Sequence, residues 1–466
     1  MRRKILIGLV SYILVLTFFF AFTDEINAQR NQNKKPNERA RKLAKEGDSL
    51  YNQKDYRSAI NKYAEAIVIA PNFPQAHFFK ASAHLLLNEN AEAVEDFDAA
   101  LQQGFTPIKV YELRWEAHFK TQNYDAALAD VQKGLQIQPN NNYLALELGN
   151  VYRMKEFYQD AINTYNKILS VNPNLADVHY YVAYSYARLN DFEKQNLAAS
   201  QAVKYNTKFA GEAYKLIGDA AVVGKNPDEA ILAYERALNV KPELEAVYAL
   251  LSDIYRNQNR LPDAIATLKK GTKLFPENGD MLVSLTWYYS LADRPNEAVT
   301  VGQQAVKLAP AQYMAFTNLC RAYNDTKQYS QAVMTCTKAL NLQPDDGETN
   351  LYIARAYDLQ NKPDVATPYY KKAVAGLLTY TGNFPDYSDG WYLLGNAYYA
   401  DGQRDKAIEA YKKNLQLSPN FAKGRVNLGY MYFLNNNQVA AREQYDLLLK
   451  IDKTSAEKLK QLMDKK

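Results

Sequence analysis

The chain has 466 residues, too many for one compact core, so the sequence predicts either several domains or one extended array. Apolar residues make up 47% and charged residues 23%, which is typical of folded rather than disordered protein. The formal net charge is +5, but the positive excess lies near the two ends, and the long middle of the chain is slightly acidic. This distribution argues against nucleic acid as a ligand.

The first 28 residues have the pattern of an export signal. Three basic residues, Arg2, Arg3 and Lys4, precede an apolar stretch at 5–22, and Ala28 is the expected last residue before cleavage. We therefore expect a periplasmic or cell-envelope protein, with a basic linker at residues 29–37. The apolar stretch is long enough for a second interpretation, in which the signal stays uncleaved and attaches the protein to a membrane through residues 5–22.

A small residue that recurs about every 34 residues predicts a repeat architecture. The steps of this ladder are 34 or 35 residues, apart from one step of 41. Its members are Ala59, Ala93, Ala127, Ala161, Gln195, Ala230, Ala264, Ala298, Ala332, Ala366, Ala407 and Ala441. Most repeats close with a proline, which cannot continue a helix and so marks a boundary between repeats. We count twelve repeats.

The eleventh repeat carries the fullest motif, with Trp391, Leu394, Gly395, Tyr398, Ala407, Tyr411 and Pro419. This pattern resembles that of the tetratricopeptide repeat family. The resemblance implies an all-α protein, a right-handed α-solenoid superhelix of about twelve helix-turn-helix repeats. We expect the two helices of a repeat to approach where small residues meet, Gly149 against Ala161 and Gly395 against Ala407.

The domain organisation follows from the ladder. Repeats 1 to 10 take residues 38–381, an inserted loop takes 382–387, and repeats 11 and 12 take 388–453. The step of 41 residues indicates seven extra residues within 376–387, which we expect to form a longer helix followed by a loop that contains Gly and Pro. The final segment, 454–466, has the composition of a capping helix that covers the last apolar face.

The sequence contains no pattern that indicates catalysis or a cofactor. Phosphate-binding, dinucleotide-binding, zinc-protease and serine-hydrolase motifs are all missing from the 466 residues. The four histidines fall on core positions of the repeat, so we interpret them as structural and predict no metal site. Cys320 and Cys336 are the only cysteines, and we favour two buried unpaired residues while leaving a disulfide open.

In the family that this chain resembles, residues 2, 5, 9 and 12 of each repeat line the concave surface where protein partners bind. Carried onto this sequence, the resemblance nominates Tyr180, Tyr184, Asp219, Asp253, Arg256, Trp287, Arg321, Asn324, Arg355, Tyr392, Asn396, Tyr399, Tyr430 and Phe433. Aromatic residues and arginine are the types that anchor interfaces. We expect the main binding surface in the C-terminal repeats, beside the inserted loop.

These observations favour a non-enzymatic scaffold of the bacterial cell envelope that holds protein partners, within a secretion or envelope-assembly complex. Two alternatives stay open: a module for polysaccharide binding or export, and a membrane-anchored structural spacer. Co-chaperones of the family hold a terminal carboxylate with Lys at position 5 and Asn at position 9. Repeat 6 has Lys215 but Asp219, so the sequence argues against binding of chaperone tails.

Overall fold

The computed structural model describes residues 36–464, so the predicted export signal and most of the basic linker lie outside the described residues. The described part contains 25 helices and no strand, which confirms the all-α class. Within residues 36–464 no helix combines the length and the apolar character that a membrane span requires.

Twenty-four of these helices form twelve consecutive pairs, one for each predicted repeat. In chain order the pairs are Glu38–Asn52 with Tyr56–Ile69, Pro74–Leu86 with Asn90–Gln102, Pro107–Lys120 with Tyr124–Ile137, Asn142–Met154 with Tyr158–Val171, Ala176–Arg188 with Phe192–Lys204, Ala210–Val223 with Pro227–Val240, Glu245–Asn257 with Leu261–Leu274, Gly279–Leu291 with Pro295–Leu308, Tyr313–Asp325 with Tyr329–Leu342, Gly347–Asp358 with Pro363–Asn383, Ser388–Ala400 with Arg404–Leu417, and Ala422–Leu434 with Gln438–Ile451. The last helix is Lys453–Asp464.

The chain divides into two compact bodies, with the boundary between Lys208 and Phe209. The N-terminal body contains repeats 1 to 5, and the C-terminal body contains repeats 6 to 12 and the last helix. Within each body the helices of a pair pack together, and each pair packs against the next. This stacking buries the apolar face that a single pair would expose, which is the solenoid arrangement expected from the repeat.

The two helices of a repeat are held together by residues at positions 8 and 24, which lie sixteen residues apart. A Cβ atom added to Gly395 would lie 2.5 Å from Cε1 of Tyr411, and one added to Gly47 would lie 2.7 Å from Cε1 of Tyr63. The prediction placed Gly149 against Ala161 and Gly395 against Ala407; the nearest atoms to an added Cβ at the two glycines belong to Tyr165 and Tyr411. The glycine leaves a space that the tyrosine ring of the second helix fills.

In other repeats the space between the two helices is filled by a different pair of side chains at positions 8 and 24. Gly302 at position 24 lies opposite Thr286 at position 8, with a distance of 3.0 Å from an added Cβ to Thr286 Cγ2. In repeat 3 the large residue is Trp115 at position 8, and it shares a core cluster with Val131 at position 24. In these repeats the larger side chain is at position 8 and the smaller one at position 24, and the space between the helices stays filled.

The turn between the two helices of each repeat has a left-handed residue at position 15. Most are polar residues such as Asn88, Asn259 and Lys327, with φ near 60°, and repeat 11 uses Gly402. This conformation ends the first helix and is tolerated best by Asn and Gly. Repeats 2 and 5 lack the closing proline, and there Gly104 and Asn206 adopt the same left-handed conformation to end the second helix.

The seven extra residues of repeat 10 lie mostly in a longer helix. Pro363–Asn383 has 21 residues, where the second helices of other repeats have 13 or 14. The predicted loop at 382–387 is therefore shortened to residues 384–387, because helical hydrogen bonding continues through Asn383. The last helix begins at Lys453, and its Leu459 is fully buried against Gly429 of repeat 12.

Replacing Gly395 by Ala should lower the free energy of unfolding by about 1–3 kcal/mol, because the added methyl group overlaps the buried Tyr411 ring. Gly382 is also helical but has no atom within 4 Å of an added Cβ, so Gly382→Ala should be neutral or stabilising by up to about 1 kcal/mol. Urea unfolding of the two variants would measure the difference. Equal midpoints would refute the packing role assigned to position 8.

Candidate partner-binding surface

The C-terminal body curls until residues four repeats apart contact each other. Arg256 of repeat 7 donates from Nη1 to Oδ2 of Asp389 in repeat 11 over 2.7 Å, and both side chains are nearly buried. Lys423 of repeat 12 donates to Oδ1 of Asp293 in repeat 8 over 2.9 Å and to the carbonyl oxygen of Ser290 over 3.3 Å. We call these two ion pairs the closing contacts. They join repeats 7 and 8 to repeats 11 and 12 within the C-terminal body.

Three predicted partner-binding residues at position 9 are hydrogen-bond acceptors within the fold. Asp219 accepts from the hydroxyl of Tyr234 over 2.7 Å, and Asn396 accepts from that of Tyr411 over 2.8 Å. Asp253 accepts from the hydroxyl of Tyr288. The same bond occurs in the N-terminal body, where Asp48 and Asn150 take this role in repeats 1 and 4. A buried phenol needs an acceptor, and position 9 supplies it.

Three further predicted residues are buried, which corrects the expectation that they face an open groove. Arg256 is held in a closing contact, and its guanidinium lies 4.9 Å from the centre of the Trp287 ring. Arg321 is 8% exposed and lies over the ring of Tyr352. Asn324 is 2% exposed and donates to the backbone oxygen of Tyr352 over 2.8 Å. The superhelical curl, which no single repeat encodes, covers Arg256.

Three of the four predicted C-terminal aromatics lie together. Tyr399 and Tyr430 have ring centres 6.5 Å apart, and Tyr430 stacks on Phe433 at 6.4 Å. We call these three residues the aromatic stripe. Tyr399 is 40% exposed. Tyr392 lies apart from the stripe, with its ring edge-on to Phe421 at 5.0 Å.

The remaining aromatic candidates, Tyr180 and Tyr184, belong to the N-terminal body. Both are half-buried, and the guanidinium of Arg153 lies 5.5 Å from the centre of the Tyr184 ring. The structure therefore places these two candidates in the N-terminal body and the other twelve in the C-terminal body.

A cavity of about 670 Å³ opens beside the longer helix of repeat 10. Its wall includes four carboxylate residues and four aromatic residues: Asp345, Asp346, Glu348 and Asp389, with Trp287, Tyr313, Tyr380 and Tyr387. We call it the acidic cavity. The sequence analysis named only Trp287 among these residues. The signal available in the sequence was the long step of the ladder, because Tyr380 and Tyr387 belong to the inserted residues.

Burial perturbs the acids of this cavity. Glu348 has its pKa raised to about 7, first by burial and then by the charge of Asp346, while Arg321 and Tyr352 act in the opposite direction. Burial also raises the pKa of Asp346, against the two hydrogen bonds that it accepts from Thr349. The cavity therefore holds negative charge at a cost to the folded state.

A second cavity of about 750 Å³ lies where the aromatic and basic residues of repeats 9 to 12 meet. Arg321, Arg355, Lys423 and Lys458 line it, together with Tyr392 and Phe421. We call it the basic cavity. Arg355 is exposed, and its Nη1 lies 3.1 Å from Oδ1 of Asp325. Burial lowers the pKa of Lys423, next to the charge of Arg321. Asp293, Asp325 and Asp452 also line this cavity, so its basic residues exceed its acidic residues by one, whereas the acidic cavity has four carboxylate residues and one cation, Lys372.

Cys320 and Cys336 form a disulfide, with their Cα atoms 5.4 Å apart. The favoured prediction of two unpaired cysteines was wrong, and the alternative of a disulfide is the one that the structure contains. The two residues occupy positions 8 and 24 of repeat 9, sixteen residues apart, which is where a glycine and a tyrosine touch in other repeats. The equivalence of these positions was the signal that could have identified the pair.

The described residues contain no group of three or more His, Cys, Asp or Glu side chains that could hold a metal ion. Of the four histidines, His77 contacts Asp96 through Nδ1 at 2.8 Å, and His84 contacts Glu89 through Nδ1 at 2.7 Å. His179 contacts the backbone oxygen of Pro173. These are contacts within the helical framework.

Stacked helix pairs with a 34-residue period define a helical repeat protein whose class serves as a scaffold for protein–protein interaction. Models of the tetratricopeptide repeat match residues 44–104, 196–243, 224–285 and 388–421. The chain belongs to the tetratricopeptide repeat family.

Individual relatives match part of the chain. The DnaJ homolog subfamily C member 7 homolog of Schizosaccharomyces pombe is 27% identical over 178 residues, which cover 37% of each protein. The Hsp70-Hsp90 organising protein of Plasmodium falciparum is 26% identical over 167 residues, covering 34% of this chain and 28% of that protein. The chain thus spans about a third of the length of these relatives. The crystal structure of yeast Tom70 aligns over 90% of this chain and 93% of its own, at 14% identity and a TM-score of 0.37.

Breaking the closing contact between Arg256 and Asp389 should destabilise the C-terminal body. Arg256→Met and Asp389→Asn should each lower the free energy of unfolding by about 3 kcal/mol, because each leaves the other polar group buried without its partner. The double variant should lose less free energy of unfolding than the sum of the losses in the two single variants. Lys412→Ala, which removes an exposed pair with Glu409, should cost under about 1 kcal/mol. Additive losses in urea unfolding would show that the pair is not coupled.

Glu348 should make stability depend on pH. Its folded-state pKa of about 7 lies above the ordinary value of 4.5, so the folded state favours the protonated carboxyl. The contribution of Glu348 to the free energy of unfolding is therefore complete below pH 4.5 and is lost as pH rises through 7. Glu348→Gln should therefore match the native chain near pH 4 and exceed its stability by roughly 2 kcal/mol at pH 8, since water in the cavity screens part of the effect. Urea midpoints across this range test it, with the exposed Glu409→Gln as the control. A difference that does not change with pH would contradict the assignment.

Proposed function

We propose that this chain is an exported, non-catalytic scaffold of the bacterial cell envelope, which holds a partner protein on the inner surface of its C-terminal body. The observation that carries the proposal is the aromatic stripe, Tyr399, Tyr430 and Phe433, on the first helices of the last two repeats. Large rigid side chains of this kind contribute most of the energy at protein interfaces.

The surroundings of the stripe support a protein as the ligand. The basic cavity and the acidic cavity are both built by repeats 8 to 12, so the same body offers apolar, positive and negative surface. A folded or extended protein segment can match all three, whereas one small molecule cannot. Arg355 and Tyr392, both predicted from the sequence, lie at the basic cavity and are candidates for contact with the partner.

Two features support export. Residues 1–28 have the pattern of a signal that directs a chain out of the cytoplasm. The disulfide between Cys320 and Cys336 is of the kind that forms and persists in oxidising compartments such as the bacterial periplasm. An envelope location would explain both features together.

The names of the relatives mention DnaJ, Hsp70 and Hsp90, and the proposal does not extend to those partners. Clamping of a terminal carboxylate needs a free cation at position 5 and an amide at position 9. In repeat 6 the ammonium of Lys215 is 2.7 Å from Oδ2 of Asp219, so its charge is already compensated within the helix. A carboxylate would meet the negative charge of Asp219 there.

Affinity capture tests the proposal. The full chain, produced from its first residue with a tag after Lys466, is purified from the envelope fraction of a bacterium. Its N-terminus should be Gln29, and Cys320 and Cys336 should resist thiol alkylation until they are reduced. The native bait should retain a partner protein that Tyr399→Ala with Tyr430→Ala retains at least tenfold less. Phe157→Ala with Tyr143→Ala, exposed aromatics of the N-terminal body, is the matched control.

Each readout has an outcome that contradicts one part of the proposal. An N-terminus at Met1 would favour the membrane-anchored spacer. Equal capture by the native bait and by Tyr399→Ala with Tyr430→Ala would show that the aromatic stripe does not contact the partner. If no protein is retained by any bait, the scaffold function is contradicted, and retention of polysaccharide by the same bait would favour the glycan alternative.

A further inference from the structure

Position 2 of the repeat carries a charge in each of repeats 10, 11 and 12. The residues are Glu348, Asp389 and Lys423. Two of the three are neutralised from four repeats earlier, Asp389 by Arg256 and Lys423 by Asp293, which are the closing contacts. The register of the solenoid therefore provides an opposite charge for position 2 in repeats 11 and 12.

Glu348 is the exception among these three. Within residues 36–464 it takes part in no ion pair, and it accepts a hydrogen bond from the hydroxyl of Tyr352 over 3.1 Å. The equivalent of Arg256 in repeat 6 is Val222, and the equivalent of Asp293 is Lys225, which forms no ion pair among the described residues. Glu348 thus lacks the ion pair that position 2 has in repeats 11 and 12, and its pKa is raised first by burial, against the charge of Arg321.

The wall of the acidic cavity contains further acceptors. Asp346 lines it beside Glu348, and Asn350 lines it with its side chain almost completely buried, at 1% exposure. The Nδ2 of Asn350 donates to the backbone oxygen of Asp346 over 2.8 Å, but its Oδ1 has no hydrogen-bond partner among the described residues. A buried acceptor without a donor costs free energy, so a ligand that donates hydrogen bonds would be favoured here.

The aromatic part of the wall specifies the kind of cation. Trp287, Tyr313, Tyr380 and Tyr387 line the cavity, and aromatic rings attract ammonium and guanidinium groups. Arg256 already binds in this way, over the Trp287 ring and against Asp389. The described residues supply no cluster that could hold a metal ion, and a cavity of about 670 Å³ is in the size range for an organic group.

We propose that the acidic cavity binds a lysine or arginine side chain of the partner protein, with Glu348 and Asp346 as the counter-charges and Asn350 Oδ1 as an acceptor. This inference rests on the proposed scaffold function, because it names the chemistry of the partner segment: basic rather than acidic or neutral. The cationic side chain completes the series of charge pairs that the closing contacts begin.

Fluorescence anisotropy with labelled hexa-arginine tests the inference on the full chain. Hexa-citrulline, which has the same shape without the charge, is the probe control. Native protein should bind hexa-arginine, and Asp346→Asn with Glu348→Gln should weaken binding at least tenfold. Asparagine can still cap the helix at position 346, so this variant keeps the fold. Glu348→Gln alone should weaken binding at least threefold. Asp364→Asn with Glu409→Gln, which removes two exposed charges of the same body, should leave it unchanged.

Three outcomes would overturn the inference: no binding of hexa-arginine to the native chain, equal loss in the surface-charge control, or equal binding of hexa-citrulline. Binding of cellohexaose that is lost on Trp287→Ala would also overturn it, because it would assign the cavity to a sugar. The proposed scaffold has its own readout in partner capture through the aromatic stripe. Capture by Asp346→Asn with Glu348→Gln equal to that by the native bait would refute the cavity alone, whereas the absence of any captured protein on the native bait would refute the scaffold.

Discussion

In repeats 1, 4, 6, 8, 9 and 11 the structure depends on the contact between positions 8 and 24, which joins the two helices of a pair. A tyrosine ring fills the gap beside a glycine in repeats 1, 4, 6 and 11, and this brings a phenol hydroxyl into the core. That hydroxyl requires an acceptor, which Asp or Asn at position 9 provides. Apolar packing and a buried hydrogen bond therefore specify the same geometry in these four repeats.

The disulfide of repeat 9 is a variant of this contact. Cys320 and Cys336 occupy the two positions at which ring and glycine otherwise touch, so the helices are already close enough for a covalent bond. A covalent link replaces the ring where neither residue is large. The space between the two helices is thus filled by a tyrosine, by a tryptophan in repeat 3 or by a disulfide, and the helix pair is kept in each case.

Much of the fold was accessible from the sequence because its determinants are local. The period of 34 residues, the closing prolines and the last helix all follow from residues near one another in the chain. The candidate site was less accessible, since Asp219 and Asn396 are equally good as partner contacts or as acceptors until Tyr234 and Tyr411 are placed. The burial of Arg256 could not be foreseen, because it depends on the curl that accumulates over four repeats.

The acidic cavity depends both on a local feature of the sequence and on residues from distant repeats. The lengthened second helix of repeat 10, indicated by the long step in the ladder, forms part of its wall, and its carboxylates are those of Asp345, Asp346, Glu348 and Asp389. A charge that lacks its counterpart lowers the stability of the free protein, and natural proteins accept such losses mainly where they gain function. The same reasoning separates Glu348 from Asp389, since of these two only Asp389 forms an ion pair within residues 36–464.

The closing contacts also have a consequence for evolution. Tandem repeat proteins commonly gain or lose whole repeats by duplication and deletion, because each repeat contacts only its neighbours. Here Arg256 must meet Asp389, and Asp293 must meet Lys423, four repeats further on. A duplication between repeats 7 and 12 would move these charges out of register. The two ion pairs therefore require a fixed number of repeats in the C-terminal body. That number should stay constant during evolution, whereas the number of repeats in the N-terminal body can change.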